Sequence, residues 1–338
     1  MNRPYGRCQP QDIRWLAQVS YLVMFATLAG EFANAQSADR LKTRPGLAAF
    51  FSKPLPNDIE LKSDLVYKTA AGKSISLDLY GVKGKHYDRA PLAVFIHGGG
   101  YVGGDKRAVQ GHADIFLPLL REHGYRVASL NYRLCTLDGA KLIDCSTDCK
   151  DALRFLVKNG ADYGIDSNHI ASMGTSAGGS LSLLLPLTKD DDLPGDPLLA
   201  KYPSRAKCAV AWFGATDFTQ RDLLQDVGAA KVEQKTPILF KSAPGADMHE
   251  CELVSPVWYM KRNAVKPPLL LVHGDSDQTA PPRQSAWMHS EALKLGVPVT
   301  FISVKNAGHG FKEAKGAISP TKDEINKLTL KFILENNR

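Results

Sequence analysis

Apolar and polar positions along the 338-residue chain follow two rhythms. Asp64–Thr69 and Ser74–Tyr80 alternate residue by residue around Ala71-Gly72-Lys73, which predicts an antiparallel hairpin. Leu92–His97 is instead a continuous apolar run, the pattern of a strand covered on both faces of a parallel sheet. Further strand-like runs lie at Arg126–Asn131, His169–Met173, Lys207–Phe213, Leu269–His273 and Val299–Val304. Between them, helical patterns cover Ala108–His123, Thr147–Lys158, the stretch after Gly178, Pro282–Leu295 and the segment after Pro320. Strands alternating with helices predict an α/β fold with a mostly parallel central sheet and helices on both faces. Residues 217–262 interrupt the rhythm between two core strands and read as a small lid or long-loop insertion.

The first thirty-five residues stand apart from this pattern. Arg3, Arg7 and Arg14 precede an apolar stretch that runs to Gly30, and Ala33-Asn34-Ala35 supplies a small-x-small end. That order describes a secretory signal peptide cut after Ala35. A retained membrane anchor fits less well, because Gln18 and Ser20 interrupt the apolar run. Residues 36–60, with Pro45, Pro54 and Pro56, read as an extended lead-in, and residues 36–338 as one domain in the periplasm or outside the cell.

Charge and cysteine content narrow the chemistry. A net charge of +7 is spread without a Lys/Arg run or an aromatic stripe, so nucleic acid is not an expected partner. Beyond the leader stand Cys135, Cys145, Cys149, Cys208 and Cys251, an odd number. In an oxidising compartment Cys135–Cys145 is the first expected bridge and Cys208–Cys251 the second, with Cys149 and Cys208 equally readable as buried apolar residues. No Cys/His spacing suits a metal, and no cofactor is expected.

Four motifs carry the functional reading. Gly174-Thr175-Ser176-Ala177-Gly178 lies between a strand pattern and a helix pattern, as a nucleophile elbow requires; the alternative is a serine that merely fills a tight turn. His97-Gly98-Gly99-Gly100-Tyr101 follows a buried strand, and its glycines let backbone N–H groups converge on one point, as an oxyanion needs. A phosphate-binding loop would instead show GxGxxG or GxxxxGK[ST], and neither is present. His97 itself reads as a structural loop residue. In His273-Gly274-Asp275-Ser276-Asp277 an acid is available to orient an imidazole: Asp277 is preferred, Asp275 is the near rival and Asp217 a weaker one. Either of the first two could instead cap the helix after Pro281. Ala307-Gly308-His309-Gly310-Phe311 sets a histidine between glycines after the last strand, completing the order Ser–Asp–His.

On these residues the chain resembles α/β-hydrolases of the carboxylesterase and lipase group that includes the hormone-sensitive-lipase-like esterases. His97–Gly100 matches its HGGG signature and Gly174–Gly179 its GxSAGG elbow. Gly103-Gly104-Asp105-Lys106 and Asn131-Tyr132-Arg133-Leu134 are also similar, the former leaning toward secreted feruloyl-, acetylxylan- and tannase-like esterases. The resemblance, from about residue 64 onward, implies Ser176, Asp277 and His309 as the triad and the amides of Gly99, Gly100 and Ala177 as the oxyanion hole. It implies a small-molecule or sugar-linked ester substrate. Two departures are Thr175 before the serine, where Asp is usual, and Cys135-Thr136-Leu137-Asp138-Gly139 in place of an Ala-Pro-rich segment. Rival readings on the same fold are an amide hydrolase of arylformamidase type and a serine peptidase of prolyl-oligopeptidase type. The secretory leader argues against the first. The second usually carries an aromatic residue before the serine and an extra propeller domain, and neither is visible in this sequence.

Overall fold

The structure, a computed structural model, describes residues 54–135, 140–220, 223, 239–240 and 248–338. The leader and its cleavage site, residues 36–53, the departure at 136–139 and much of the 217–262 insertion lie outside the described residues.

Eight strands form one sheet: β1 (Ile59–Ala70), β2 (Lys73–Val82), β3 (Ala90–Ile96), β4 (Arg126–Leu130), β5 (Ile165–Thr175), β6 (Cys208–Trp212), β7 (Leu269–Gly274) and β8 (Val299–Val304). Their spatial order is β1-β2-β4-β3-β5-β6-β7-β8. β1 pairs antiparallel with β2, and β2 antiparallel with β4; every later pairing is parallel. A 3-10 helix (Lys106–His112) leads into α1 (Ala113–Arg121). It is followed by α2 (Leu142–Lys158), α3 (Gly160–Tyr163), α4 (Ala177–Leu187), α5 (Met248–Leu253), α6 (Pro256–Arg262), α7 (Arg283–Leu295) and α8 (Lys322–Asn336).

The continuous apolar runs are explained by burial on two sides. In β3, Leu92, Val94 and Ile96 enter one core layer while Ala93 and Phe95 enter the other. β7 divides the same way, with Leu269 and Leu271 against Leu270 and Val272. α2, α4 and α6 cover the first face; the 3-10 helix, α1 and α8 cover the second. Each fully buried side chain of this size contributes about 1.5–3 kcal/mol.

Two expectations need correction. The helix expected from Thr147 begins at Leu142, because Asp144, Asp148, Asp151 and Arg154 break the apolar period although most of them are buried. Asp144 closes the first turn by accepting from the Lys141 amide at 2.7 Å. Among the described residues no cysteine takes part in a disulfide, so neither expected bridge is formed. Cys135 and Cys145 do meet, with sulfurs 3.4 Å apart, but the Cys145 thiol is directed to the Arg133 carbonyl at 2.9 Å. Cys208 is fully buried in β6, as its reading as an apolar residue requires, and Cys251 lies in α5.

Candidate active site

Four segments at the carboxyl ends of β3, β5, β7 and β8 carry the residues singled out by sequence. Ser176 occupies the turn from β5 into α4 at φ 53°, a strained value for a residue with a side chain. Its amide donates to the Trp212 carbonyl at 2.8 Å, which ties the turn to β6. The strain lifts the hydroxyl out of the sheet edge.

The glycine loop lies against this elbow: a Cβ on Gly98 would stand 2.8 Å from the Thr175 carbonyl oxygen. Gly99 has φ +124°, and a Cβ there would meet the Gly103 carbonyl oxygen at 2.1 Å, so no other residue fits. Among the described residues the amides of Gly99 and Gly100 find no acceptor within the protein. Ala177 opens α4, where an amide has no partner in its own helix. Three N–H groups are thus left for an outside acceptor.

What holds the loop is the part that sequence left without a role. Tyr132 stacks on His97 with ring centroids 4.4 Å apart and donates its hydroxyl to the His97 carbonyl at 3.0 Å. The Cys135 amide donates to the Tyr101 carbonyl at 2.6 Å. Asn131 accepts from the Lys106 amide at 2.7 Å, and Lys106 reaches Asp64 at 2.8 Å and Asp78 at 2.7 Å. The two further motifs, Gly103–Lys106 and Asn131–Leu134, are therefore halves of one clamp on the glycine loop. Burial pushes the His97 imidazole below its ordinary range, and its Nδ1 lies 2.7 Å from the Gly98 carbonyl, so it is a structural residue here.

On the opposite side, His309 Nε2 lies 3.1 Å from Ser176 Oγ and its Nδ1 2.7 Å from Asp277 Oδ2. Asp277 is buried, and its Oδ1 accepts from the amides of Thr279 at 2.7 Å and Ala280 at 2.9 Å. Burial alone would raise its pKa, but hydrogen bonds from His273, His309 and the Ala280 amide outweigh it. The carboxyl is held well below the usual carboxylate range. Asp277 does not cap α7, whose N-cap is Pro282. Asp275 is exposed and accepts from Ser276 Oγ at 2.9 Å, and Asp217 is taken up by Thr219 and by the Trp287 indole at 3.0 Å. The near rivals therefore do not face the imidazole. Phe213, at φ 43°, sets its ring edge-to-face on His309 with centroids 4.7 Å apart, a contact with no signal in the sequence.

The apolar side chains of the insertion differ in their surroundings. Phe218 packs edge-to-face on Tyr101 of the glycine loop and on Phe240, whereas Tyr259 is fully buried in the core and Met248 is half exposed. Among the described residues no cluster of three or more His, Cys, Asp or Glu could hold a metal ion. No helix among them is long and apolar enough to cross a membrane.

Comparison with known proteins agrees with this architecture. The BD-FAE family model matches residues 77–292. Esterase LipC of Mycobacterium tuberculosis is 29% identical over 251 residues, which is 71% of this chain and 58% of that relative. Esterase LipQ of the same organism is 27% identical over 235 residues, 66% of this chain and 51% of that protein. The chain thus spans little more than half the length of these relatives. Among solved structures, a carbohydrate esterase from gut microbiota superposes with a TM-score of 0.67 at 24% identity, covering 84% of this chain and 99% of that one. The butyrate-bound esterase Est2 of Thermogutta terrifontis gives a TM-score of 0.65 at 23% identity, over 83% of this chain and 95% of that one. These two likenesses concern the fold, which is that of the α/β-hydrolases.

Proposed function

Because the chain belongs to the BD-FAE family and has the α/β-hydrolase fold, we propose that it is a serine carboxylic ester hydrolase for short-chain or aromatic acyl esters. Ser176, His309 and Asp277 are its triad. The observation that carries this reading is the hydrogen-bonded file from Asp277 through His309 to Ser176, at 2.7 and 3.1 Å. A serine hydroxyl is a poor nucleophile unless a base takes its proton. Nε2 of His309 is in reach to do so, and the Asp277 carboxylate fixes the tautomer and stabilises the imidazolium that forms.

Attack of Ser176 Oγ on the ester carbonyl gives a tetrahedral oxyanion, met by the amides of Gly99, Gly100 and Ala177. Each such donor is worth about 3–4 kcal/mol in the transition state. His309 then protonates the leaving alcohol, and water releases the acid from Ser176 by the reverse sequence. Support for a short acyl group comes from the esterase Est2, solved with butyrate and with propionate; support for a sugar-linked ester comes from the carbohydrate esterase of similar fold. The leader pattern of residues 1–35 supports export to the periplasm or beyond, with no anchor kept after cleavage at Ala35.

The test is hydrolysis of an ester panel by residues 36–338 beside its Ser176→Ala variant. The panel holds p-nitrophenyl acetate, butyrate and octanoate, methyl ferulate, acetylated xylan and a formanilide. The expected result is turnover of short or aromatic esters with kcat reduced at least about 10⁴-fold in the variant. Turnover of the anilide alone would assign an amide hydrolase, and equal activity in both proteins would remove Ser176 from the mechanism.

A further inference from the structure

We infer that His273 is a positioning residue for Asp277, an inference that rests on Asp277 being the acid of the proposed triad. His273 closes β7 and is fully buried. Both of its ring nitrogens are engaged. Nδ1 lies 2.8 Å from Ser285 Oγ in α7, and Nε2 lies 3.0 Å from the Ala280 carbonyl oxygen. A carbonyl oxygen only accepts, so Nε2 carries the proton in the tautomer whose Nδ1 accepts from the Ser285 hydroxyl. This tautomer is assigned from the hydrogen-bond network.

The same Nε2 also lies 3.5 Å from Asp277 Oδ2, a longer electrostatic contact beside its hydrogen bond to Ala280. Ala280 takes part twice, because its amide donates to Asp277 Oδ1 at 2.9 Å while its carbonyl accepts from His273. Asp277 is therefore engaged at both oxygens: Oδ1 by two backbone amides, Oδ2 by the His309 hydrogen bond with the His273 N–H 3.5 Å away. Among the described residues, these two histidines are the titratable groups that face it. His273 touches neither Ser176 nor a reacting atom. Its N–H fixes the plane of the carboxylate and withdraws part of the charge on Oδ2, the oxygen that His309 uses.

Removing that N–H has two separable consequences. The carboxylate loses one restraint, so His309 is less often aligned, and kcat falls without a change in substrate binding. The charge left on Oδ2 then acts more strongly on the imidazolium, so the protonated form persists to higher pH. A role confined to packing would produce neither the kcat-only loss nor the pH displacement.

The experiment uses the mature full chain with His273→Phe and His273→Gln, the glutamine amide nitrogen standing near the Nε2 position. kcat, KM and the pH profile of kcat/KM are measured on p-nitrophenyl acetate. For His273→Phe the expected result is a kcat loss of about tenfold or more, KM within about twofold, and an acidic limb moved up by roughly half a pH unit or more. His273→Gln is expected to return the limb toward its original position and recover most of kcat. Ser285→Ala, which loosens the ring from the far side, should move both quantities in the same direction by less, and it carries the test if the phenylalanine variant does not fold. Equal losses in the Phe and Gln variants with an unmoved limb would overturn the inference. Asp277→Asn run alongside separates the two readings: if that variant keeps full kcat, the assignment of Asp277 itself fails, whatever His273 does.

Discussion

Two of the buried carboxylate clusters among the described residues have partners that differ in kind. Under α2, Asp148 meets Lys68 at 3.0 Å and Arg133 at 2.8 Å, and Asp151 meets Lys68 at 2.7 Å and Arg154 at 2.8 Å. Those cations keep their charge at any pH the fold tolerates. Asp277 is equally enclosed, but it faces two imidazoles and two amides. The first cluster can only hold elements together. The second sits beside a group able to take and return a proton, so the same carboxylate chemistry becomes available to a reaction. What distinguishes a site from a strut here is the partner's ability to change charge.

The comparison can be broken at its most sensitive point first. Asp277→Asn is expected to lower kcat by about 10³–10⁴-fold with little loss of stability, since the amide keeps the shape but offers the wrong tautomer to His309. Asp275→Asn should leave kcat within about threefold; a reversed ranking would exchange the two aspartates. Asp148→Asn should do the opposite. Denaturant unfolding is expected to show a loss of about 3 kcal/mol, as stranded buried charges require, while kcat per folded molecule stays within about threefold.

A third imidazole sharpens the contrast because it lacks a carboxylate. His112 packs between Phe95 and Trp212, and burial pushes its pKa down from 6.5 to about 4. Between those values the unfolded chain binds a proton that the folded chain refuses, so stability falls as pH drops from 6.5 toward 4. His112→Phe should flatten that slope by an amount on the order of 1–3 kcal/mol across the window, read by urea melts at several pH values. An unchanged slope would mean that His112 takes up its proton inside the core.

Much of this was legible in the chain. The apolar runs at β3, β6 and β7 announce strands with two covered faces, and glycines around Ser176, His309 and Gly99 mark turns that only small neighbours permit. The preference for Asp277 over Asp275 finds its physical ground in the structure, since both follow β7 and the amides of Thr279 and Ala280 single out Asp277. The early start of α2 was hidden for a related reason. Its buried charges look solvent-facing until Lys68, 80 residues before Asp148, is brought beside them. Tyr132 and Lys106 lay inside recognisable motifs, yet their grip on the glycine loop is a contact between distant segments.

One consequence of the strand order remains. β4 lies on one side of β3 and β5 on the other, so the chain reverses its direction of travel across the sheet there. The connection after β3 descends to the layer of α1, and that after β5 to the layer of α4. Two segments leaving neighbouring strands for opposite faces cannot close over each other, and in open α/β sheets a crevice forms at such a topological switch point. The glycine loop and Ser176 form its two lips. The cleft is therefore a property of connectivity, and exchanging the loops around it would reshape what enters without disturbing the sheet beneath.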